Sequence, residues 1–284
     1  MTTNKTENAT YGTPGSQARN AVMGDSATPI TPGAALVTGA GKRLGRSIAL
    51  GLARAGWDIA VHFHRSASEA QQVSREIQAL ERRAVCIGAD LGDQASVLAL
   101  FDQARSQLGA ITCLVNNASR FELDQPHDFS MEKLEQHMRP NLAAPLLLGR
   151  QLHAAALEAE HDAVIINLLD QKLENLNPDF FSYTLSKAAL LAATKIMAMA
   201  FSPRVRVNGV SPGATLPSWE QSGKGFEQAK KIALLRESSA PQDIVDAVVY
   251  LARAKAVTGV NLIVDGGQHL LPLNRDVMFL TERF

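Results

Sequence analysis

Cysteine is scarce in this sequence: the 284-residue chain contains two, Cys86 and Cys113, each inside an apolar run. We expect two small buried side chains in a reducing, cytoplasmic setting, which argues against both a disulfide framework and a metal site.

An excess of charge is also absent, since 28 Lys and Arg balance 28 Asp and Glu. Composition therefore gives no reason to expect nucleic acid or an anionic membrane as a partner. No apolar run approaches the ~18 residues of a membrane span.

Residues 1–33 lack the apolar periodicity of a helix or a strand. They are rich in Thr, Asn, Ser, Ala, Gly and Pro and contain no apolar core of a secretion signal. Glu7 and Asp25 argue against a transit peptide. We therefore predict a disordered N-terminal tail of unassigned role.

From residue 34 onward, short apolar runs alternate with helical patterns. Runs that are apolar throughout are typical of parallel strands covered on both faces. The pattern predicts an α/β fold: a single doubly wound, Rossmann-type domain over residues 34–284, with a seven-stranded parallel sheet and helices on both faces. Ligands of such sheets bind beyond the carboxyl ends of the strands. The residues expected there are Gly39, His62, Asp90, Asn117, Asp170 and Pro212.

A glycine-rich turn follows the first apolar run. Gly39 and Gly41 can adopt backbone angles closed to other residues, so a pyrophosphate can approach the N-terminus of the next helix, whose partial positive charge favours it. The spacing G-x-G-x-x-x-G is one residue longer than the common dinucleotide fingerprint, and a turn without a ligand is the alternative. The turn residues expected to bind a dinucleotide are Gly39, Gly41, Arg43, Leu44 and Gly45.

The end of the second predicted strand carries basic and hydroxyl residues where NAD sites usually carry a carboxylate. A carboxylate would repel a 2′-phosphate, whereas arginine, serine and imidazole would bind one, so we predict NADPH as the cofactor. A solvated basic loop is the alternative. Farther along, Asp90 and Leu91 are expected near the adenine, although Asp90 could instead cap the following helix. The expected phosphate ligands are His62, His64, Arg65, Ser66 and Arg43.

Tyr183 and Lys187 form a Y-x-x-x-K pattern at the start of a predicted helix. Residues four apart share a helix face, so the phenol and the ammonium point into the same space. A nearby cation lowers the pKa of a phenol, whose ordinary value is ~10. The pair therefore indicates general acid catalysis at a carbonyl or imine that receives hydride.

Together these motifs resemble the short-chain dehydrogenase/reductase family over residues 34–270, including the ending Asp265-Gly266-Gly267. The resemblance implies that Lys187 also holds the nicotinamide ribose and that Asn141 supports a water-linked proton path; a helix cap is the alternative for Asn141. It further implies a homotetramer and cofactor contacts from Asn117, Ala118, Ser119, Pro212 and Gly213. The terminal residues 274–280 would reach a neighbouring subunit's active site or pack on their own chain.

Two departures from the family pattern resemble the pteridine reductases. Asp170 stands where the family usually has serine, 13 residues before the tyrosine, and Arg43 replaces a glycine of the turn. The Asn-Ala-Ser-x-Phe segment ending at Phe121 resembles the same group, as does the His-Arg-Ser segment after the second strand. The resemblance implies that Phe121 and the nicotinamide sandwich a pterin; an ordinary core aromatic is the alternative for Phe121. The residues expected to hold the substrate are Arg43, Ser119, Phe121, Asp170, Tyr183, Leu216 and Trp219.

A pterin needs hydride at an imine carbon and a proton at the neighbouring nitrogen. A buried carboxyl of raised pKa beside Tyr183 and Lys187 can relay that proton, so Asp170 favours pterin reduction over alcohol oxidation. A structural carboxylate that caps a loop is the alternative for Asp170. Gly223 and Gly225 indicate a mobile flap within the substrate loop, residues 214–235. We predict an NADPH-dependent pterin reductase; dihydropterin, oxidised pterin and dihydrofolate are not distinguished. The alternatives are a carbonyl reductase of the same family and a non-catalytic NADP(H) sensor.

Overall fold

The computed structural model of the protein describes residues 32–217 and 221–281. Its strands form one parallel sheet in the order β3-β2-β1-β4-β5-β6-β7. The seven-stranded parallel sheet of the sequence analysis is thereby confirmed. The strands are β1 Ala34–Val37, β2 Asp58–Phe63, β3 Ala84–Gly88, β4 Ile111–Asn116, β5 Ala163–Leu168, β6 Val205–Pro212 and β7 Asn261–Val264.

Helices cover both faces of the sheet. Helices α1, α2 and α8 pack on one apolar cluster, and α3, α5 and α6 on a second. The doubly wound arrangement is thus confirmed. Along the described chain the α-helices are α1 Arg43–Arg54, α2 Ala67–Gln78, α3 Gln94–Leu108, α4 Met131–Met138, α5 Ala144–Glu158, α6 Phe181–Ala200, α7 Gly223–Lys230, α8 Pro241–Arg253 and α9 Val277–Thr281.

Strand β1 shows why its run is apolar throughout. Ala35 and Val37 belong to one core cluster, whereas Ala34 and Leu36 belong to the other. Because successive side chains of a strand point to opposite faces, a strand between two helical layers has no polar side. The core therefore lies above and below the sheet, and the strand ends are left to form the site.

Two segments differ from the simplest expectation. Asn141 lies inside a π-helical turn, Arg139–Ala143, that joins α4 to α5, so it stands within a helical region that begins at Met131 and not at a helix start. In the predicted substrate loop, Gly223 and Gly225 lie in helix α7. Residues 1–31 and Trp219 lie outside the described residues. None of the helices described is both long and apolar enough to cross a membrane.

Candidate active site

A cleft of about 320 Å³ opens at the carboxyl ends of β4, β5 and β6. We call it the main cleft. It brings together most of the side chains predicted for catalysis and substrate binding. The predicted residues that line it are Arg43, Leu44, Asn117, Ser119, Phe121, Asp170, Tyr183, Lys187, Pro212, Gly213 and Leu216.

Asp170 and Tyr183 meet at the base of the main cleft. The Tyr183 hydroxyl donates a 2.7 Å hydrogen bond to Asp170 Oδ2, and the backbone N–H of Lys172 donates to Oδ1 at 2.8 Å. Asp170 thereby also caps the short 3₁₀ helix Gln171–Glu174. Burial raises the pKa of the Asp170 carboxyl above its ordinary value. The carboxyl is therefore fixed in place and inclined to carry a proton.

Burial and the adjacent Asp170 carboxylate raise the pKa of Tyr183 well above 10. This corrects the expectation that Lys187 lowers it. Lys187 Nζ lies 5.8 Å from the centre of the Tyr183 ring and donates at 2.6 Å to the backbone oxygen of Leu168. Burial lowers the pKa of Lys187 to about 8. Tyr183 is thus a neutral phenol held by Asp170.

The first turn of α6 is positioned by a residue that the sequence analysis missed. Asp124 is buried, and its Oδ1 accepts a 2.9 Å hydrogen bond from the backbone N–H of Ser182, while its Oδ2 accepts from the Ser182 hydroxyl. Phe180, which precedes the helix, adopts φ +58° and supplies no side-chain cap. Asp124 therefore provides the N-terminal cap from 58 residues away. Tyr183 lies within this capped turn, directly after Ser182.

Phe121 joins an aromatic cluster on the wall of the main cleft. Its ring stacks on Phe180 at 4.1 Å between centroids and meets Tyr183 edge to face at 4.7 Å. Phe121 is both a packed aromatic residue and part of the cleft surface, because it packs on Phe180 and lines the cleft. Sequence reasoning missed Phe180.

The glycine turn is held by His62. Gly39, at φ +65°, donates its backbone N–H to His62 Nδ1 at 3.0 Å, and His62 Nε2 lies 3.1 Å from the backbone oxygen of Ala89. The imidazole is buried, and burial lowers its pKa to about 4. The expectation that His62 binds a cofactor phosphate is therefore corrected: the ring is neutral and both nitrogens are used within the protein.

Asn117 fastens the same turn to β4. Its Nδ2 donates to the backbone oxygen of Thr38 at 2.9 Å, and the backbone N–H groups of Asn117 and Ala118 both donate to Thr38 Oγ1. A Cβ on Gly45 would lie 2.2 Å from the Gly39 oxygen, so only glycine fits there. The turn is a rigid cradle of backbone groups.

Arg43 occupies the left-handed region, with φ +51°. Glycine adopts such angles without cost, which accounts for the family's preference for glycine at this position. The Arg43 guanidinium donates a 2.7 Å hydrogen bond to the backbone oxygen of Pro217, in the predicted substrate loop. Arg43 therefore links the glycine turn to the loop over the main cleft.

A groove beside the main cleft runs along the glycine turn and the end of β2, in two connected parts of about 480 and 650 Å³. Arg65 makes no hydrogen bond or ion pair with any described residue, whereas Asp90 accepts from the N–H of Gly92 at 2.8 Å. Gly41 does not line the groove but packs on Ser66. The groove gathers the predicted cofactor residues Gly39, Arg43, Leu44, Gly45, His62, His64, Arg65, Ser66, Asp90, Leu91, Asn117, Ala118 and Ser119.

Asn141 does not line the main cleft. Its side chain donates to the backbone oxygen of Arg120 at 3.0 Å and to Ser186 Oγ at 2.9 Å, and accepts from the Arg120 N–H at 2.8 Å. These contacts are not those of a simple helix cap, and the water-linked proton path stays a prediction. Asn141 fixes the loop after β4 against α6, and thereby the wall that carries Phe121.

The C-terminal segment packs on its own chain at the rim of the main cleft. Lys172 Nζ, buried, lies 3.0 Å from Asp276 Oδ2, and Arg275 Nε donates to Asp179 at 2.8 Å. Asp276 and Met278 line the cleft. The sequence carried no signal for these pairs, whose members are about 100 residues apart.

Comparison with known proteins identifies the family. The model of the family described as "Enoyl-(Acyl carrier protein) reductase" matches residues 39–269. The chain belongs to the short-chain dehydrogenase/reductase family. The family predicted from the glycine turn and the Tyr183–Lys187 pair is thereby confirmed.

Relatives within the short-chain dehydrogenase/reductase family differ in their substrates. "Pteridine reductase 1" of Leishmania tarentolae is 31% identical, covering 86% of this chain and 98% of its own. "7alpha-hydroxysteroid dehydrogenase" of Escherichia coli K12 is 34% identical, covering 82% and 92%. The structure of "FolM Alternative dihydrofolate reductase 1" from Brucella suis in complex with NADP has a TM-score of 0.82 and 36% identity, covering 85% of this chain and 97% of its own.

Proposed function

We propose that the protein is an NADPH-dependent reductase that converts dihydropterin to tetrahydropterin, with oxidised pterin and dihydrofolate as further candidate substrates. The observation that carries the proposal is the 2.7 Å hydrogen bond between Tyr183 and the Asp170 carboxyl. A carboxyl with a raised pKa can donate the proton that the ring nitrogen needs. The names of the Leishmania and Brucella relatives support the same substrate class.

The groove fits a dinucleotide with a 2′-phosphate. The glycine turn leaves backbone N–H groups at the start of α1, and Arg65 has no partner among the described residues. NADPH supplies hydride when bound. Arg65 and Ser66 would hold its 2′-phosphate, Lys187 its nicotinamide ribose, and Pro212-Gly213 would lie beside its carboxamide. The Brucella structure contains NADP, in agreement with this assignment.

In the main cleft each side chain has a separate task. The aromatic wall of Phe121 and Phe180 offers a flat ring a stacking surface. Asp170 donates the proton, with Tyr183 as its hydrogen-bonded partner and relay. The Lys187 ammonium offsets the negative charge that develops as the proton leaves. The three groups act as one proton-delivering unit.

A carbonyl reductase acting on a ketone is the second candidate, favoured by the 34% identity to the hydroxysteroid dehydrogenase. The decisive assay follows NADPH absorbance with dihydrobiopterin, dihydromonapterin, dihydrofolate and a panel of ketones. We expect turnover of dihydropterins and competitive inhibition by methotrexate. Turnover of ketones alone would establish the carbonyl reductase. Tight NADPH binding without any turnover would indicate a sensor.

We also propose that the protein is a homotetramer, as the family resemblance implies. Large apolar side chains on the outer faces of two neighbouring helices support this: Leu157 of α5 is 53% exposed, and Ile196 and Met199 of α6 are 60% and 73% exposed. Such residues would be covered by a second copy of the chain.

Arg65→Ala should raise the KM for NADPH by about 10–100-fold, the equivalent of one hydrogen bond to a charged group, while the KM for NADH is unchanged. The reason is that only NADPH carries the phosphate that Arg65 would bind. Steady-state kinetics with each cofactor measure the two KM values separately. Arg150→Ala, an exposed arginine on α5, is the matched control. An equal change in the KM for NADPH and for NADH would show that Arg65 does not bind the 2′-phosphate.

The reduction rate should fall as pH rises through about 8. Lys187 loses its proton there, because burial lowers its pKa to about 8, and the neutral amine no longer offsets the negative charge that develops on the acid as the proton leaves. The Asp170 carboxylate raises the pKa of Lys187, so Asp170→Asn should move this alkaline limb to lower pH. A pH profile of kcat from 6 to 10 measures both. A profile flat across pH 8 would refute the role of Lys187.

A further inference from the structure

Gln268 lies against the main cleft, and its side chain makes no hydrogen bond with a described residue. It follows β7 in the short 3₁₀ helix Gln268–Leu270 and is 1% exposed. Its Oε1 is buried with no partner, and its amide makes no hydrogen bond to any of residues 32–217 or 221–281. A buried polar group of this kind costs free energy unless something else satisfies it.

Other amides with one unpartnered buried atom are held by their second atom. Asn116 donates to Asn167, Gln151 to the backbone oxygen of Leu98, and Asn261 accepts from Ser211. None of these three lines the main cleft. Gln268 alone in this set combines an unpartnered amide with a place on the cleft wall.

The backbone around Gln268 fixes where its amide lies. Gly266 and Gly267 adopt φ +64° and +81°, and a Cβ on Gly266 would lie 2.2 Å from the backbone oxygen of Glu237. The buried Asp265 carboxylate accepts from the N–H groups of Gly267 at 2.9 Å and His269 at 2.6 Å. Gln268 is therefore presented on a rigid turn.

We propose that Gln268 orients the substrate by hydrogen bonding the amide edge of the pterin ring, an inference that rests on the proposed function. A primary amide offers a donor and an acceptor side by side, which matches the ring N–H and the adjacent carbonyl of a pterin. Asp170, Tyr183 and Lys187 deliver the proton, and Phe121 stacks on the face of the ring. The edge of the ring is left for Gln268. A ketone has no such edge and would leave the amide unpaired, so Gln268 also favours pterins over ketones.

Gln268→Met keeps the length of the side chain and removes both polar atoms. We expect the KM for dihydrobiopterin to rise at least about tenfold, which is one hydrogen-bonded group's worth of affinity. NADPH affinity should stay unchanged and kcat should stay within about threefold, because the proton-donating groups are untouched. The Tm of the protein without ligand should stay level or rise, since an unpaired buried amide is lost. Gln268→Leu is a second variant should the first not fold.

Ser238→Ala is the matched control. Ser238 Oγ is also buried and has no hydrogen-bond partner in the described part of the chain; it lies on the segment before α8 and does not line the main cleft. Its loss should leave the KM for dihydrobiopterin unchanged. If the wild type reduces dihydrobiopterin and both Gln268 variants show the same KM as the wild type, the inference about Gln268 is wrong but the proposed function stands. A wild-type protein that neither binds nor reduces pterins would overturn the proposed function, and this inference with it.

Discussion

Asp170→Asn should lower kcat for dihydropterin reduction by about 10²–10⁴-fold, the usual contribution of a general acid. Asparagine has nearly the same shape: its side-chain oxygen can accept from the Lys172 N–H, and its NH2 group can donate to the Tyr183 hydroxyl oxygen. It has no proton to give up, however. The loss should therefore lie in kcat, with the dissociation constant for NADPH close to that of the wild type. Stopped-flow or steady-state NADPH absorbance, together with fluorescence titration of NADPH, separates the two.

Asp170→Ser sharpens the same test, because serine is the residue usual at this position in the family. It can pass a proton along but cannot act as an acid of raised pKa. Pterin turnover should be lost as in the asparagine variant, while any ketone turnover of the wild type should persist. If either variant keeps a third or more of the wild-type kcat for pterin, Asp170 does not supply the proton.

The fold and the centre of the site could be predicted because their signals are local. Strands of a parallel sheet that are buried on both faces show as continuous apolar runs, and the carboxyl ends of those runs lie side by side in any such sheet. Asp170 lies two residues beyond the end of β5, and Tyr183 and Lys187 are one helical turn apart. Residues that lie in one helix, or directly after a strand, can therefore be placed from the sequence pattern alone.

The supporting contacts could not be predicted, because they join residues distant in the chain. Lys172 pairs with Asp276 across 104 residues, and Asp124 caps α6 across 58. His62 was placed at the right strand end, but its ring turns inward to the Gly39 N–H, which depends on the packing of two loops. A buried histidine and an exposed one look the same in sequence. Burial and partner choice are properties of the packed structure.

Gly45→Ala should destabilise the protein by about 2 kcal/mol or more, because the new methyl group overlaps the backbone. Its Cβ would lie 2.2 Å from the Gly39 oxygen and 2.5 Å from Asn117 Nδ2, and neither atom is free to withdraw, since Asn117 is bound to Thr38. For a domain of this size that corresponds to a fall in Tm of about 4–8 °C. Thermal unfolding followed by circular dichroism measures it.

NADPH binding should weaken in the same variant by at least about tenfold, because relief of the overlap pushes apart the backbone N–H groups that would hold the pyrophosphate. Gly223→Ala is the matched control: no atom of residues 32–217 or 221–281 lies within 4 Å of its added Cβ, at the start of α7. There alanine should leave Tm level or slightly higher, since it favours the helix. If Gly45→Ala bound NADPH like the wild type, the glycine turn would be only a packing device. A loss of NADPH affinity confined to Gly45→Ala would show that its close backbone packing shapes the phosphate site.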